Sequence, residues 1–294
     1  MSLALTGFCA LAIASRELTA SMGTLEILFW RSLLGLAIVG ALLWRAGALN
    51  RSGLLPGLAP WHLLRNSAHF AGQCAWLIAI AALPLAEVFA LEFTTPLWAA
   101  LLAALFMGEA LNRGRWFSLL LGLVGVLVIL RPGTAVINPA SLVMLAGAVG
   151  FAISAIVTRK LTVLLHGSGH AFLLILFYMT AMQGLFSLLL LLPAPSVPPP
   201  ESWGWLLVAA VTALAAHYCL SRALSYADAA VVMPIDYLRL PLIMLVAWWL
   251  YGETVSLWLA LGAGLIIAGN GVGLYLETMR RRAATSPSDA SAGA

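Results

Sequence analysis

The sequence predicts an all-α polytopic membrane protein, with ten transmembrane helices arranged as two five-helix repeats of inverted topology. Three observations carry this. Hydrophobic residues make up 63% of the 294-residue chain and charged residues only 9%, against about 25% charged in a soluble domain. Ten apolar runs, most close to the roughly 20 residues that cross a bilayer, alternate with short polar breaks. The third observation is a motif that occurs twice. An acid stands beside a proline in Leu91-Glu92-Phe93-Thr94-Thr95-Pro96-Leu97 and in Ile235-Asp236-Tyr237-Leu238-Arg239-Leu240-Pro241-Leu242, and each copy leads to a Gly-Glu pair, Gly108-Glu109 and Gly252-Glu253. The offset is 144 residues both from Glu92 to Asp236 and from Glu109 to Glu253.

Taken in order, the spans fall at 2–15, 25–44, 60–82, 86–107, 115–131, 140–161, 170–192, 203–224, 227–251 and 254–276. The first is short for a span, which points to a tilted helix or a start site placed a few residues late, and Met1 to Ser15 lacks the basic leader and cleavage site of a signal peptide. Glycines and prolines between Gly47 and Pro60 separate the second and third helices. Arg131-Pro132-Gly133 stops the fifth, and a proline-rich hairpin over Pro193 to Pro200 joins the seventh to the eighth. The Ala-, Ser-, Thr- and Pro-rich residues 277–294 read as a disordered cytoplasmic tail.

The net charge of +4 orients the chain and is no nucleic-acid signature. With the N-terminus in the cytoplasm, the inner loops hold Arg45, Arg51, Arg113, Arg115, Arg159, Lys160, Arg280, Arg281 and Arg282, and the outer loops only Arg16 and Arg131. Such a bias places both termini on the cytoplasmic side of a bacterial inner membrane. The repeat extends beyond the acid motif. Leu83-Pro84-Leu85-Ala86-Glu87 pairs with Leu224-Ser225-Tyr226-Ala227-Asp228, and Ser15-Arg16-Glu17-Leu18-Thr19 with Thr158-Arg159-Lys160-Leu161-Thr162. The units are residues 1–133 and 134–276. Five helices is an odd number, so the second unit enters the membrane in the opposite sense, the arrangement of many secondary transporters.

Pro96 removes a helix N–H and crowds the carbonyl of Glu92; Pro241 does the same to Tyr237, and Pro234 frees the carbonyl of Ala230. Kinks, freed carbonyls and carboxylates together describe a polar lining, or structural kinks whose acids are tied to arginines. Asp236 has Arg239 at i+3 as a local partner. Glu92 has none, and Arg31 or the third helix is expected to supply one. On the third helix Arg65, His69 and Gln73 recur at i, i+4, i+8, with Asn66 beside them, forming a polar stripe about 12 Å long. It serves either as a substrate-contacting wall or as a hydrogen-bonded seam. His217 is a packing residue or a proton relay. Trp76 and Tyr237 lie deep enough to line a cavity, as does Trp98. Glu87 and Asp228 suit the positive ends of helix dipoles, while Glu109 and Glu253 are expected to cap the next helix or pair with an arginine. Trp30, Trp44, Trp61, Trp116, Trp203, Trp205 and Trp258 form an interfacial belt. Gly122, Gly125, Gly262, Gly264, Gly269, Gly271 and Gly273 give the fifth and tenth helices small faces for close packing.

The three cysteines, Cys9, Cys74 and Cys219, lie within apolar runs without metal or redox spacing. No phosphate loop, zinc spacing or nucleophile elbow occurs, so neither cofactor nor metal is expected, and an enzyme is disfavoured.

These features resemble the EamA-like members of the drug/metabolite transporter superfamily. The resemblance rests on Leu83-Pro84-Leu85-Ala86-Glu87, Phe29-Trp30-Arg31-Ser32, His217 with Arg222-Ala223-Leu224, Asp236-Tyr237-Leu238-Arg239 and both Gly-Glu pairs, and covers about residues 3 to 276. It implies a secondary transporter that moves a small metabolite, an amino acid or related solute, through a central cavity by alternating access. Glu92 departs from the family, where a small polar residue is expected. Glu92, Asp236, Tyr237, Arg239, Arg65, His69, Gln73, Trp76 and His217 are the candidate cavity residues. Protons are open as a coupled partner, carried by Glu92 or Asp236, and the chain as a monomer or homodimer. The competing readings are a lipid flippase, an intramembrane enzyme and a non-transporting membrane protein.

Overall fold

Apolar runs this long close their backbone hydrogen bonds within helices, because a bilayer offers none in exchange. The computed structural model describes residues 1–48, 58–107, 113–133, 137–165, 170–192, 196–226, 232 and 235–284. Its elements are α1 (Ser2–Thr19), α2 (Thr24–Arg45), α3 (Ala59–Ala82), α4 (Leu85–Glu92), α5 (Thr95–Met107), α6 (Arg113–Leu130), α7 (Pro139–Leu164), α8 (Ala171–Leu190), α9 (Ser202–Tyr226), α10 (Arg239–Tyr251) and α11 (Leu257–Ala284). Among the described residues six stretches are long and apolar enough to cross a membrane: Thr24–Arg45, Leu85–Phe106, Pro139–Leu164, Ala171–Leu190, Ser202–Ala223 and Leu257–Leu276. Shorter apolar helices accompany them. Gly108, Glu109, Ala227, Asp228, Ala230 and Pro234, together with residues 193–195 of the proline-rich hairpin, lie outside the described residues.

The polarity is inside-out for a water-soluble protein. Phe106 is 80% exposed and Trp249 76%, while Arg31, Arg65, His69, Gln73, Asp236 and Arg239 are buried. Lipid accepts the first group, and the second is tolerated only where protein partners or a cavity satisfy it. The helices pack in pairs, α3 on α7, α6 on α11, α1 on α9 and α2 on α8, and α4 packs against α10. The largest apolar core runs from Phe8, Leu11 and Leu18 of α1 through Leu77 and Ile80 of α3 and Phe89 of α4 to Ile243 of α10 and Ile266 of α11.

Four boundaries differ from the sequence expectation. The first helix runs on to Thr19, because Arg16 and Glu17 are held by protein groups and need not end it: Tyr251 donates to Glu17 at 2.7 Å. The fourth span is two helices, broken at Phe93–Thr94 beside Pro96. A turn at Leu238 likewise precedes α10. The last helix starts at Leu257 and continues to Ala284, so 277–284 extend it rather than open a tail. Glu277, Met279 and Arg280 to Arg282 are good helix formers.

The small-residue faces divide. A Cβ on Gly262 would stand 2.6 Å from the Gly125 carbonyl oxygen, and one on Gly125 would stand equally close to the oxygen of Gly262, so α6 and α11 touch backbone to backbone there. Gly264 and Gly271 face open space and take no part in the close approach expected of them.

Candidate functional site

Both acid motifs end at helix breaks, and α4 packs against α10, so the breaks meet. One Arg239 Nη2 lies 3.2 Å from Glu92 Oε1 and 3.3 Å from Asp236 Oδ2. Trp76 Nε1–H donates to Glu92 Oε2 at 2.8 Å. Of the two expected sources of a partner for Glu92, Arg31 and the third helix, the third helix provides it through Trp76 of α3, and Arg239, the local partner of Asp236, is shared with Glu92. The guanidinium lies over Phe8, Phe93 and Phe89, at 4.5, 5.0 and 5.2 Å from the ring centroids, which dries the ion pairs and adds cation–π attraction. Among the described residues Asp236 Oδ1 is buried without a partner. Tyr237 packs edge-on against Phe93 at 5.2 Å.

The carbonyl that Pro96 displaces is satisfied locally. Thr95 Oγ1 donates to the Glu92 carbonyl at 2.6 Å, and Asn270 Nδ2 donates to the Phe93 carbonyl at 2.8 Å. These carbonyls belong to a closed network rather than to the wet lining that the prolines suggested. Trp98, read as a deep aromatic, donates to Thr94 Oγ1 at 3.1 Å.

A small cavity of about 20 Å³, room for about one water molecule, opens beside this cluster, lined from α1, α2, α3, α8 and α9. Arg31 and Ser32 of α2 enter it, with His69 and Gln73 of α3; Thr180 and Gln183 come from α8 and His217 from α9. Leu11, Met179 and Leu214 form its apolar walls. Arg31 Nη2 donates to Gln73 Oε1 at 2.9 Å and to Gln183 Oε1 at 3.4 Å. His217 Nδ1 lies 2.8 Å from the Ala213 carbonyl, which can only accept, so Nδ1 carries the proton and Nε2 is free to face neighbours. His217 meets His69 edge-on at 5.7 Å and Phe8 at 5.2 Å. Phe8 therefore touches both the cavity-lining His217 and Arg239.

The nine candidates divide three ways. Glu92, Asp236, Arg239, Trp76 and Tyr237 gather at the helix breaks; His69, Gln73 and His217 line the cavity. Arg65 does neither, donating to Asn66 Oδ1 at 2.6 Å and Thr158 Oγ1 at 3.2 Å in the seam with α7. The stripe is wall at one end and seam at the other. Arg31 and Gln183 were not singled out as cavity residues. Their signal is a polar residue within an apolar span, and Gln183 shares its face with Thr180 at i−3 and Ser187 at i+4.

A third polar cluster lies at the helix ends. Gly252 ends α10 in the left-handed conformation, φ 64°, which a glycine adopts without strain. The chain then returns Glu253 to Leu85 N–H, 2.8 Å from Oε2, and to Arg16, 3.2 Å from Oε1. Arg16 also donates to the Leu83 carbonyl. Of its two expected roles Glu253 takes the second, pairing with an arginine, and it caps α4 rather than the next helix, so that it joins α1, α4 and α10. Burial pushes its carboxyl above the usual range, against the pull of Leu85 N–H and Arg16. Glu87, in the first turn of α4, accepts from Ser141 Oγ at 2.8 Å.

A family comparison agrees with this architecture. The model of the EamA-like transporter family matches residues 1–131 and again 138–272. The chain belongs to the EamA-like transporter family. It is a multi-pass membrane transporter of the drug/metabolite transporter superfamily and not an enzyme. The riboflavin transporter of Brucella anthropi is 30% identical over 293 residues, covering 97% of this chain and 99% of that protein. The pseudopaline exporter of Pseudomonas aeruginosa is 29% identical over 262 residues, 86% of each chain. A crystal structure at 20% identity aligns over 97% of this EamA-like chain and 99% of its own with a TM-score of 0.60, which shows a shared fold.

Proposed function

We propose that this EamA-like protein is a secondary transporter that moves a small organic metabolite, an amino acid or related solute, across the bacterial inner membrane by alternating access. The observation that carries the reading is the cavity, whose polar walls come from α2 and α3 of one half and α8 and α9 of the other. A site built between halves changes its access when the halves rock.

Ten spans in two inverted units, 1–133 and 134–276 with both termini cytoplasmic, suit the helix pairing. Exchanging the halves maps α2 with α8 and α6 with α11 onto themselves and exchanges α1–α9 with α7–α3. The double family match, 1–131 and 138–272, also supports two units. Counting α4 with α5 as one span gives ten. A riboflavin transporter among the relatives and a pseudopaline exporter make flavins and amino-acid-derived acids the first solutes to assay.

Proton coupling rests on the shared arginine. Two carboxylates around one guanidinium leave a formal charge of −1, and Asp236 Oδ1 has no donor among the described residues, so one carboxyl is suited to hold a proton. Counterflow of labelled solutes in proteoliposomes, across a range of pH, tests both points. Transport with a pH dependence that disappears in Glu92→Gln is the expected outcome. Flux that keeps its pH dependence in Glu92→Gln removes Glu92 as the carrier, and absence of counterflow for every solute assayed counts against transport through the cavity.

A further inference from the structure

We propose that Arg31 and Gln183 form the recognition point of the cavity, and that the solute presents to them an acceptor-rich, negatively charged group, a carboxylate or a similar oxyanion. The inference rests on the transporter reading and names the chemical class of what is carried.

Arg31 is 6% exposed and stands about two turns into α2. Among the described residues its hydrogen-bond partners are two neutral amides, through Nη2, and Nη1 is buried with no partner. Among the described residues no carboxylate pairs with it, since Glu92 and Asp236 are both taken by Arg239. An unpaired buried cation in a membrane costs several kcal/mol. Gln183, 2% exposed, points its carboxamide oxygen at Arg31, and its Nε2–H₂ is left unsatisfied. The unmet groups at this end of the cavity are therefore donors, one of them charged. A cationic group would be repelled there, and a neutral donor would leave both Nη1 and Nε2 unmet. An oxyanion satisfies both Nη1 and Nε2 and cancels the charge, as guanidinium–carboxylate pairs do. Gln73 and Gln183, holding Nη2 from two helices, fix the orientation of the fork.

The test uses the purified full-length protein in nanodiscs, incubated with an equimolar mixture of small carboxylic acids, their primary amides and matched amines. Retained compounds are quantified by mass spectrometry, and each is then assayed for counterflow. Acids should be retained over their amides, and Arg31→Gln should weaken that retention about 10- to 100-fold, the size of a lost charged hydrogen bond. Gln183→Glu places a carboxylate beside Arg31. It should raise the melting temperature, which shows that the fold is kept, and abolish acid retention. Equal retention of acids and amides, preference for amines, no retention of any acid by the wild type, or retention unchanged in both variants overturns the proposal. Acids that are retained through Arg31 but not moved would instead contradict the transporter reading, and amines or neutral solutes moved independently of Arg31 would contradict the recognition point alone.

Discussion

Removing Arg239 should harm this protein far more than removing either acid it holds. In Arg239→Gln the carboxylates of Glu92 and Asp236 remain, buried and without their cation. The oxygens facing Arg239 lie 3.2 and 3.3 Å from the same nitrogen, so they are at most about 6.5 Å apart. At an effective dielectric constant near 20 their repulsion is roughly 2.5 kcal/mol, and breaking a buried pair by deleting one partner costs about 3–5 kcal/mol. At roughly 2 °C per kcal/mol for a chain of this size, the melting temperature should fall by about 6–10 °C. Glu92→Gln behaves differently. The amide oxygen still accepts from Trp76, Arg239 and Asp236 become a one-to-one pair, and the cluster's formal charge goes to zero, so stability should stay within about 1 kcal/mol of the wild type. Adding Glu92→Gln to Arg239→Gln should recover at least the repulsion. Tryptophan-fluorescence melting of the four proteins in one detergent decides it. A melting temperature for Arg239→Gln equal to the wild type, or a loss in Glu92→Gln as large as in Arg239→Gln, refutes the shared-cation account.

Two further outcomes follow from the packing and from the clasp at the helix ends. Gly262→Ala should cost about 1–3 kcal/mol by overpacking against the Gly125 carbonyl, whereas Gly264→Ala, facing open space, should be neutral or slightly stabilising; melting curves of the two variants compare them directly. Glu253 has its carboxyl raised by burial in the folded state, so the folded state binds that proton more tightly than the unfolded chain, and the group's contribution is most favourable at low pH and is lost as pH rises above the ordinary carboxylate range. The melting temperature of the wild type relative to Glu253→Gln should therefore fall with rising pH; a relative rise would mean that the Arg16 pair outweighs burial.

Composition and periodicity made the helices legible, because an apolar run in a bilayer has few alternatives to a helix. The acid–proline repeat likewise marked the place where the helices break. What local sequence could not carry was the partner choice. Arg239 is three residues from Asp236, and that nearness hid its equal distance to Glu92, which is set by the packing of α4 against α10. Thr95 was read as part of a motif, yet its hydroxyl closes the carbonyl that the neighbouring proline opens. The polar stripe on α3 was correctly periodic, and all its members are buried. Periodicity gives a face and not what lies opposite it, so Arg65 went to a seam while Gln73 went to the cavity.

The placement of charge gives the molecule a direction that its two-fold sequence pattern does not. The repeat supplies an acid to each half, but Arg239 belongs only to the second half and Arg31, Trp76 and Glu92 only to the first. The cluster at the breaks therefore carries a formal −1 and Arg31 in the cavity a formal +1, with Phe8 and His217 between them. The two charges compensate each other weakly, across rings and not through contact. A solute oxyanion at Arg31 would cancel the cavity's charge and leave the cluster's −1 without even that distant partner. Taking up one proton between Glu92 and Asp236 would then restore neutrality. If Arg31 receives an oxyanion as proposed, binding at the cavity and protonation at the helix breaks would be linked through the field of the protein. Such linkage requires the two centres to carry opposite formal charge, and a sequence whose halves were chemically equivalent would lack it.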